Sequence, residues 1–190
     1  QQPGRSLLGA AQEQWLAEGW DLQRRWNLLA QTTLLAPLNL PAPGKPADSG
    51  RTWTDGWDGY PAARARLLQG AAERRVANLV ALGGDVHAHY VATLKADVAN
   101  PDSAALGSEI CGTSISSHGP ERARTDAALA RNPHLLHARG DQRGHVLLTI
   151  DSQRLQAALM AVADPADPAS AVDVQARFVV EAGRPGPQPA

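Results

Sequence analysis

The sequence predicts an α/β fold in which helices and strands alternate at first and strands dominate afterwards. Apolar residues recur at helical spacing over Leu7–Trp20 and again over Ala62–Arg75. The first segment leads into Trp26–Pro37, which is expected to be a buried strand followed by a loop that Pro37 ends. The second leads into the short apolar run Val76–Leu82, which is typical of a buried strand. Further along, strand-like runs follow one another with turns between them, which favours an antiparallel sheet.

The second half of the chain is expected to contain one weak helix, Glu121–Arg131, among several strands. A half-exposed strand is expected after residue 88, because apolar and polar residues alternate over Val91–Ala96. The strand-like segments are His89–Val98, Leu106–Ser114, Leu135–Arg139, Val146–Ile150, Leu155–Val162 and Val172–Glu181. Leu135–Arg139, Val146–Ile150 and Leu155–Val162 are expected to form a three-stranded meander. Residues 182–190, rich in proline and glycine, are predicted to be a disordered tail.

Composition and charge restrict the class of protein. A chain of 190 residues is expected to form one domain or part of one. The formal net charge is only −1 and no basic stripe is present, so nothing predicts nucleic-acid binding. No apolar run is long enough to span a membrane, and no signal peptide is visible. Cys111 is the single cysteine, which excludes an internal disulfide.

The strongest chemical signal follows the strand predicted at Val76–Leu82. Two glycines end that run, and Asp85, His87 and His89 follow at alternating positions. Ligands of open α/β sheets bind just past the carboxyl ends of strands. A carboxylate and an imidazole two residues apart can therefore hold metal ions there. An Asp-x-His pair is equally typical of a turn aspartate beside a surface histidine, so both interpretations stay open at this point.

A second informative stretch, Asp55–Pro61, places two carboxylates on either side of a tryptophan. One interpretation is a turn whose aspartates accept backbone hydrogen bonds and whose aromatic residues anchor it. The other is that one carboxylate, Asp58 in preference to Asp55, reaches a metal ion. The preceding segment Asn39–Thr54 is rich in proline and glycine and is predicted to be a long loop.

Gly84-Asp85-Val86-His87 resembles the last metal-binding motif of the calcineurin-like metallophosphoesterases, in the form found in PhoD-type alkaline phosphatases. Asp55–Pro61 resembles the Asp-x-Trp-Asp-Gly-Tyr-Pro segment that precedes this motif in the same family. Both occur here in the family's order, joined by a helix and a strand. Gly112–Ser117 and Phe178–Glu181 resemble further family segments, so the resemblance covers nearly the whole chain.

The resemblance implies the second half of an αββα sandwich, with residues 1–181 as the C-terminal portion of a phosphatase domain. It implies hydrolysis of phosphate esters by a metal-activated water at a centre of iron and calcium. Asp58, Asp85 and His87 are the expected metal ligands. Gln31, at the end of its predicted strand, and His89 are the expected substrate-binding residues. Family members are commonly exported, which implies a periplasmic or extracellular location.

Several family features do not occur in this sequence: an early aspartate with a nearby cysteine, a Gly-Asp-x-x-Tyr segment and an asparagine motif. Cys111 lies after the Gly-Asp-Val-His motif and is expected to be a small apolar strand residue. We therefore expect the C-terminal part of a phosphatase, whose partner would be the missing N-terminal half. The alternatives are an inactive remnant, or a binding module in which the Asp-x-His pair is accidental.

The other histidines lead to weaker predictions. His118 lies in a Ser/Gly-rich loop and is expected either near the mouth of the site or in solvent. His134 and His137 are expected to be structural.

Overall fold

Two β-sheets pack face to face in a computed structural model that describes residues 2–42 and 50–190. The helices are α1 (Ala10–Gly19), α2 (Pro61–Glu73) and α3 (Arg122–Arg131), with a short 3-10 helix at Trp57–Gly59. The strands are β1 (Asn27–Ala30), β2 (Leu40–Pro41), β3 (Gly50–Arg51), β4 (Leu79–Gly83), β5 (His89–Lys95), β6 (Ala105–Cys111), β7 (Leu135–Arg139), β8 (Arg143–Ile150), β9 (Arg154–Val162), β10 (Val172–Glu181) and β11 (Arg184–Pro189).

The first sheet has the order β1-β4-β6-β5-β7, and the second has the order β11-β10-β9-β8. Strands β1, β4 and β6 run parallel, whereas β5 runs antiparallel to both of its neighbours. The second sheet is antiparallel throughout. The mixed α/β class expected from the sequence is therefore confirmed, with an antiparallel second sheet built from the end of the chain.

The two faces of the first sheet lie in two different cores. Side chains such as Leu79 and Leu94 face the helices, and α2 contributes Leu68 to that core. The neighbouring residue Val80 faces the second sheet, which presents Leu159 and other apolar side chains to it. Successive side chains on a strand point to opposite faces, so both cores draw on the same strands.

Strand β5 differs from its predicted half-exposed character, because most of its residues are buried. It lies between β6 and β7 and has a core on each face, so its alternating sequence does not correspond to a solvent face.

The predicted three-stranded meander is wrong in one respect. Strands β8 and β9 are paired as expected, but β7 lies at the edge of the first sheet and pairs with β5. Helix α3 precedes β7 and also packs on the first sheet through Ala128, so the helix and the strand belong to the same layer.

The predicted disordered tail is also wrong, since Arg184–Pro189 forms β11 and pairs with β10. Gly183 makes the turn with a positive φ of 83°, a conformation that glycine adopts without strain. The backbone N–H of Gly186 donates to Ser108 Oγ at 3.1 Å. Prolines are tolerated here because β11 is an edge strand and needs few backbone donors.

Trp26–Pro37 forms a strand over β1 and then a buried loop, which agrees with the predicted strand followed by a loop. The predicted loop Asn39–Thr54 contains the short pair β2–β3, and its residues 43–49 lie outside the described residues. None of the helices in the described part of the chain is both long enough and apolar enough to cross a membrane.

Candidate metal centre

The turn between β4 and β5 carries the Asp-x-His pair, just beyond the carboxyl end of β4. Strands β1 and β6 run parallel to β4 and end at the same edge of the first sheet. The side chain of Asp85 is exposed and that of His87 is half-buried. The structure thus places both predicted ligands at the sheet edge where ligands of α/β sheets bind.

The backbone of this turn is strained at the predicted ligands themselves. Asp85 has φ 66° and His87 has φ 53°, both in the left-handed region that non-glycine residues rarely occupy. Gly83 and Gly84, the two glycines that end the apolar run, do not have a positive φ. Gly83 serves a close approach instead, because a Cβ there would overlap the carbonyl oxygen of Thr33. Strained backbone of this kind clusters at functional sites.

The His87 ring is oriented by a backbone carbonyl. Its Nδ1 lies 3.0 Å from the carbonyl oxygen of His118, so the tautomer that fits is the one in which Nδ1–H donates. The other ring nitrogen, Nε2, then carries a lone pair. Metal-binding histidines in proteins almost always donate their second ring N–H in this way. The exposed side chain of His118 has no part in this contact, which uses only the backbone of that residue.

Gln31 follows β1 and forms part of the wall of the site. Its Oε1 accepts hydrogen bonds from Trp57 Nε1 at 3.0 Å and from the Thr33 N–H at 3.1 Å, and its Nε2 donates to the Thr33 carbonyl. Gln31, Asp55 and Asp85 line one cavity of about 370 Å³. The amide of Gln31 is thus engaged with the protein itself, and the predicted contact with substrate stays a prediction.

The two aspartates of the tryptophan segment lie in different environments. Asp58 Oδ1 accepts from Arg64 Nη1 at 2.6 Å and Asp58 Oδ2 accepts from the Leu38 N–H at 2.9 Å, with the carboxylate only 9% exposed. Asp55 is exposed and lines the same cavity as Asp85. Both Asp58 oxygens accept hydrogen bonds from protein groups, and the predicted role of Asp58 as a metal ligand stays a prediction. Asp55 is the carboxylate that faces the site.

His89 does not fit the predicted contact with substrate, because its side chain is fully buried at 0% exposure. Its Nε2 lies 3.2 Å from the Met160 carbonyl oxygen, and its Nδ1 accepts from the Thr113 N–H at 3.2 Å. Burial lowers the pKa of this imidazole, which favours the neutral form. His89 therefore joins the first sheet to the second and secures the start of the segment after β6.

Glu109 is the residue of this region that sequence reasoning missed. It lies in the middle of β6, fully buried, and its two oxygens accept from the N–H groups of Leu35 and Ala36, each at 2.7 Å. Burial raises its pKa to about 7, against the opposing effect of the two N–H donors. Its neighbours across the sheet are Ala81 and Ala92, whose small side chains leave room for it. The sequence feature that could have revealed Glu109 is a lone acidic residue in a strand of small and apolar residues.

Cys111 matches its expected structural role. It is buried at the end of β6, with Sγ 3.5 Å from the Gly84 carbonyl oxygen. Burial raises the pKa of this thiol well above its usual value, so the thiol stays protonated and is a poor metal ligand.

The donor set offered by the turn suits a cation but is incomplete. Asp85 supplies an exposed carboxylate and His87 an oriented imidazole nitrogen, and the two belong to the ligand types that iron accepts together. Within residues 2–42 and 50–190, no group of three or more His, Cys, Asp or Glu side chains has an arrangement that could hold a metal ion. Asp85 and His87 are the two candidate donors that the turn itself offers.

Comparison with known proteins identifies the family of this chain. The sequence profile of PhoD-like phosphatases matches residues 1–159. Alkaline phosphatase D of Bacillus subtilis (strain 168) is 36% identical over 188 residues, which are 97% of this chain and 31% of the relative. A solved structure of PhoD superimposes with a TM-score of 0.88 at 35% identity, over 99% of this chain and 36% of that one. The chain thus spans about a third of the length of these two proteins. It belongs to the PhoD-like phosphatase family.

Proposed function

We propose that this chain supplies part of the active site of a metal-dependent phosphatase that hydrolyses phosphate esters by a metal-activated water. The single observation that carries the proposal is the strained turn at the carboxyl end of β4, which presents the Asp85 carboxylate and an oriented His87 imidazole. Membership of the PhoD-like phosphatase family supports the reaction class. The same resemblance supports a periplasmic or extracellular location.

Asp85 and His87 are the residues that would hold the metal ions. Iron accepts an imidazole nitrogen and a carboxylate together, whereas calcium prefers carboxylate oxygens. Bound metal ions polarise phosphate oxygens and lower the pKa of a bound water, which makes it a nucleophile near neutral pH. His87 contributes a fixed lone pair because its Nδ1–H is occupied by the His118 carbonyl. Asp55 adds a second exposed carboxylate to the cavity, where it can bind a cation or orient a water.

Gln31 and Trp57 line the same cavity as Asp85. The hydrogen bond between them joins the end of β1 to the tryptophan segment. Asp58, in that segment, binds Arg64 and Leu38. These contacts hold the shape of the cavity, and the exposed carboxylate of Asp85 is a group in it that can bind a cation.

Because two or three donors bind a metal ion weakly, we expect the remaining ligands to come from protein outside the described residues or from a partner. The isolated 190-residue chain should therefore turn over phosphate esters poorly. A chromogenic phosphate ester tests this expectation. Substantial turnover by the isolated chain that disappears in His87→Ala would contradict it, and would show that the chain holds a sufficient site.

The proposal itself is tested by titrating iron or calcium into the purified chain and comparing the wild type with Asp85→Ala/His87→Ala. We expect weak binding by the wild type and no binding at this turn in the double variant. Asp102→Ala/Asp173→Ala, which removes two exposed acids elsewhere, is the matched control and should bind as the wild type does. Equal binding by the double variant and the wild type, or no binding by the wild type and the control at saturating metal, would contradict a metal centre at this turn.

A further inference from the structure

The segment Thr113–Gly119, which follows β6, holds the turn that carries His87 at two points. The His118 carbonyl oxygen lies 3.0 Å from His87 Nδ1, and Thr113 Oγ1 donates to the His87 carbonyl at 3.2 Å. A Cβ on Gly119 would overlap the carbonyl oxygens of His87 and Gly140, so the end of the segment lies directly against the turn. The orientation of the His87 ring therefore depends on where this segment lies.

The segment has little support of its own. It contains no helix or strand, and four consecutive residues, Ile115 to His118, are exposed. Segments with exposed backbone and few buried contacts open easily. A carbonyl held at hydrogen-bond distance from an imidazole needs a firmer attachment than such a segment provides alone.

Arg143, at the start of β8, provides that attachment. Its Nη1 donates to the carbonyl of Ser117 at 2.8 Å and its Nη2 donates to the carbonyl of Gly140 at 3.0 Å. Ser117 directly precedes His118, whose carbonyl contacts His87. Ser114 Oγ donates to the same Ser117 carbonyl at 2.5 Å, and the Gly144 N–H donates to the Ser114 carbonyl at 3.1 Å.

The environment of Arg143 is unusual for an arginine. The residue is only 5% exposed, and none of the ion pairs found in residues 2–42 and 50–190 includes it. Its Nε has no hydrogen-bond partner there either. A buried charge without a carboxylate is costly for stability. Two hydrogen bonds offset part of this cost, because the planar guanidinium donates to two carbonyls of separate segments. An ammonium group spans two such acceptors less well.

We infer that Arg143 is a positioning residue for His87. By holding the Ser117 carbonyl, it keeps the neighbouring His118 carbonyl on His87 Nδ1 and so leaves the lone pair of the ring on Nε2. This inference rests on the proposed function in one respect: the metal centre gives the free Nε2 its use. The orientation of the ring is a property of the chain by itself and can be measured without metal.

The test is the tautomer of His87 in the metal-free chain, measured by NMR of the ring nitrogens above neutral pH and assigned by the loss of signals in His87→Gln. We expect Nδ1–H in the wild type and a clear gain of the Nε2–H form in Arg143→Lys. Arg139→Lys is the matched control, because Arg139 pairs with Asp141 and should leave the tautomer unchanged. Where the wild type binds iron or calcium, Arg143→Lys should weaken that binding about tenfold.

Ser114→Ala is a second test in case Arg143→Lys does not fold. It removes another donor to the Ser117 carbonyl, from a less buried position. It should move the tautomer in the same direction by a smaller amount. A folded Arg143→Lys with the wild-type tautomer would overturn the inference, as would an unchanged tautomer in Ser114→Ala if Arg143→Lys does not fold. A shifted tautomer in a chain that binds no metal would support this inference and contradict the proposed function.

Discussion

Two segments of the chain meet at the candidate site, and they differ in burial and in backbone conformation. Residues 31–39 form a buried loop, whereas residues 84–88 form a more exposed turn with left-handed backbone. The loop has its backbone groups satisfied by side chains that are distant in sequence. The donors and acceptors that bind the loop in this way belong to Asp58, Glu109, Asn132 and His134.

The contrast shows that residue type alone does not mark a ligand. Asp58 and Asp85 are both aspartates in motifs of the family, and His87 and His134 are both histidines. Asp58 and His134 bind backbone groups of the buried loop. Asp85 and His87 lie in the strained turn, where Asp85 is exposed and His87 is half-buried. The loop acts as the frame of the site, and the turn presents its chemistry.

Among variants that compare the buried loop with the exposed turn, Asp58→Ala is expected to have the largest effect on the free energy of unfolding. The change leaves the guanidinium of Arg64 and the N–H of Leu38 without their partner in a largely buried position. Breaking such a pair by removing one member costs about 3–5 kcal/mol of the free energy of unfolding. Denaturant unfolding measures this loss. Asp55→Ala is the matched control and should change stability little, because Asp55 is exposed.

Metal binding by the same two variants tests which of the two aspartates is a ligand. We expect Asp58→Ala to retain metal to the extent that it remains folded, and Asp55→Ala to lose some of it. The opposite pattern, a stable Asp58→Ala protein that has lost its metal, would support Asp58 as a ligand and would contradict the division between frame and chemistry.

A smaller effect is expected from pH, through Glu109. Its pKa is raised from the usual 4.5 to about 7 by burial. Between these two values the folded protein keeps a proton that the unfolded chain has lost, so the free energy of unfolding falls as pH rises. The stability that the protonated carboxyl provides is complete below about pH 4.5 and is lost as pH passes about 7.

Glu109→Gln provides the reference for this prediction, because glutamine does not titrate. The stability difference, wild type minus variant, should fall between about pH 4.5 and 7, by roughly 3 kcal/mol at most. Denaturant unfolding at a series of pH values measures it. A difference that is flat across this window would mean that Glu109 is ionised throughout and that its two N–H partners outweigh its burial.

The smallest effect concerns the strained turn. Asp85→Gly should stabilise the chain by about 0.5 kcal/mol, because glycine adopts a positive φ freely, although it also adds freedom to the unfolded chain. The same variant should lose metal binding, so stability and function would change in opposite directions. Asp102→Gly, at an exposed position without a positive φ, should destabilise slightly. A destabilised Asp85→Gly would show that the Asp85 backbone is not strained.

Local sequence patterns were sufficient to predict several helices and strands and the position of the candidate ligands. Periodicity located α1, α2 and β4, and the Asp-x-His motif after β4 located the candidate ligands at the correct edge of the sheet. These features depend on residues close together along the chain: side chains on one face of a helix, or a motif at the end of one strand. The resemblance to the family added the order of the two motifs, and the comparisons bear out that membership.

Which polar side chains hold the buried loop in place depends on contacts between separate segments of the chain. Glu109 binds N–H groups 74 and 73 residues away in sequence, and no local pattern reveals such partners. The same holds for Asp58, whose two oxygens are occupied by Leu38 and Arg64. The placement of β7 in the first sheet came from pairing with β5. The strand Arg184–Pro189 pairs with β10 and is also held by the long-range hydrogen bond from Gly186 to Ser108. The physical reason is common to all: burial and hydrogen-bond partners are set by contacts between segments, and such contacts arise only once the sheets have packed.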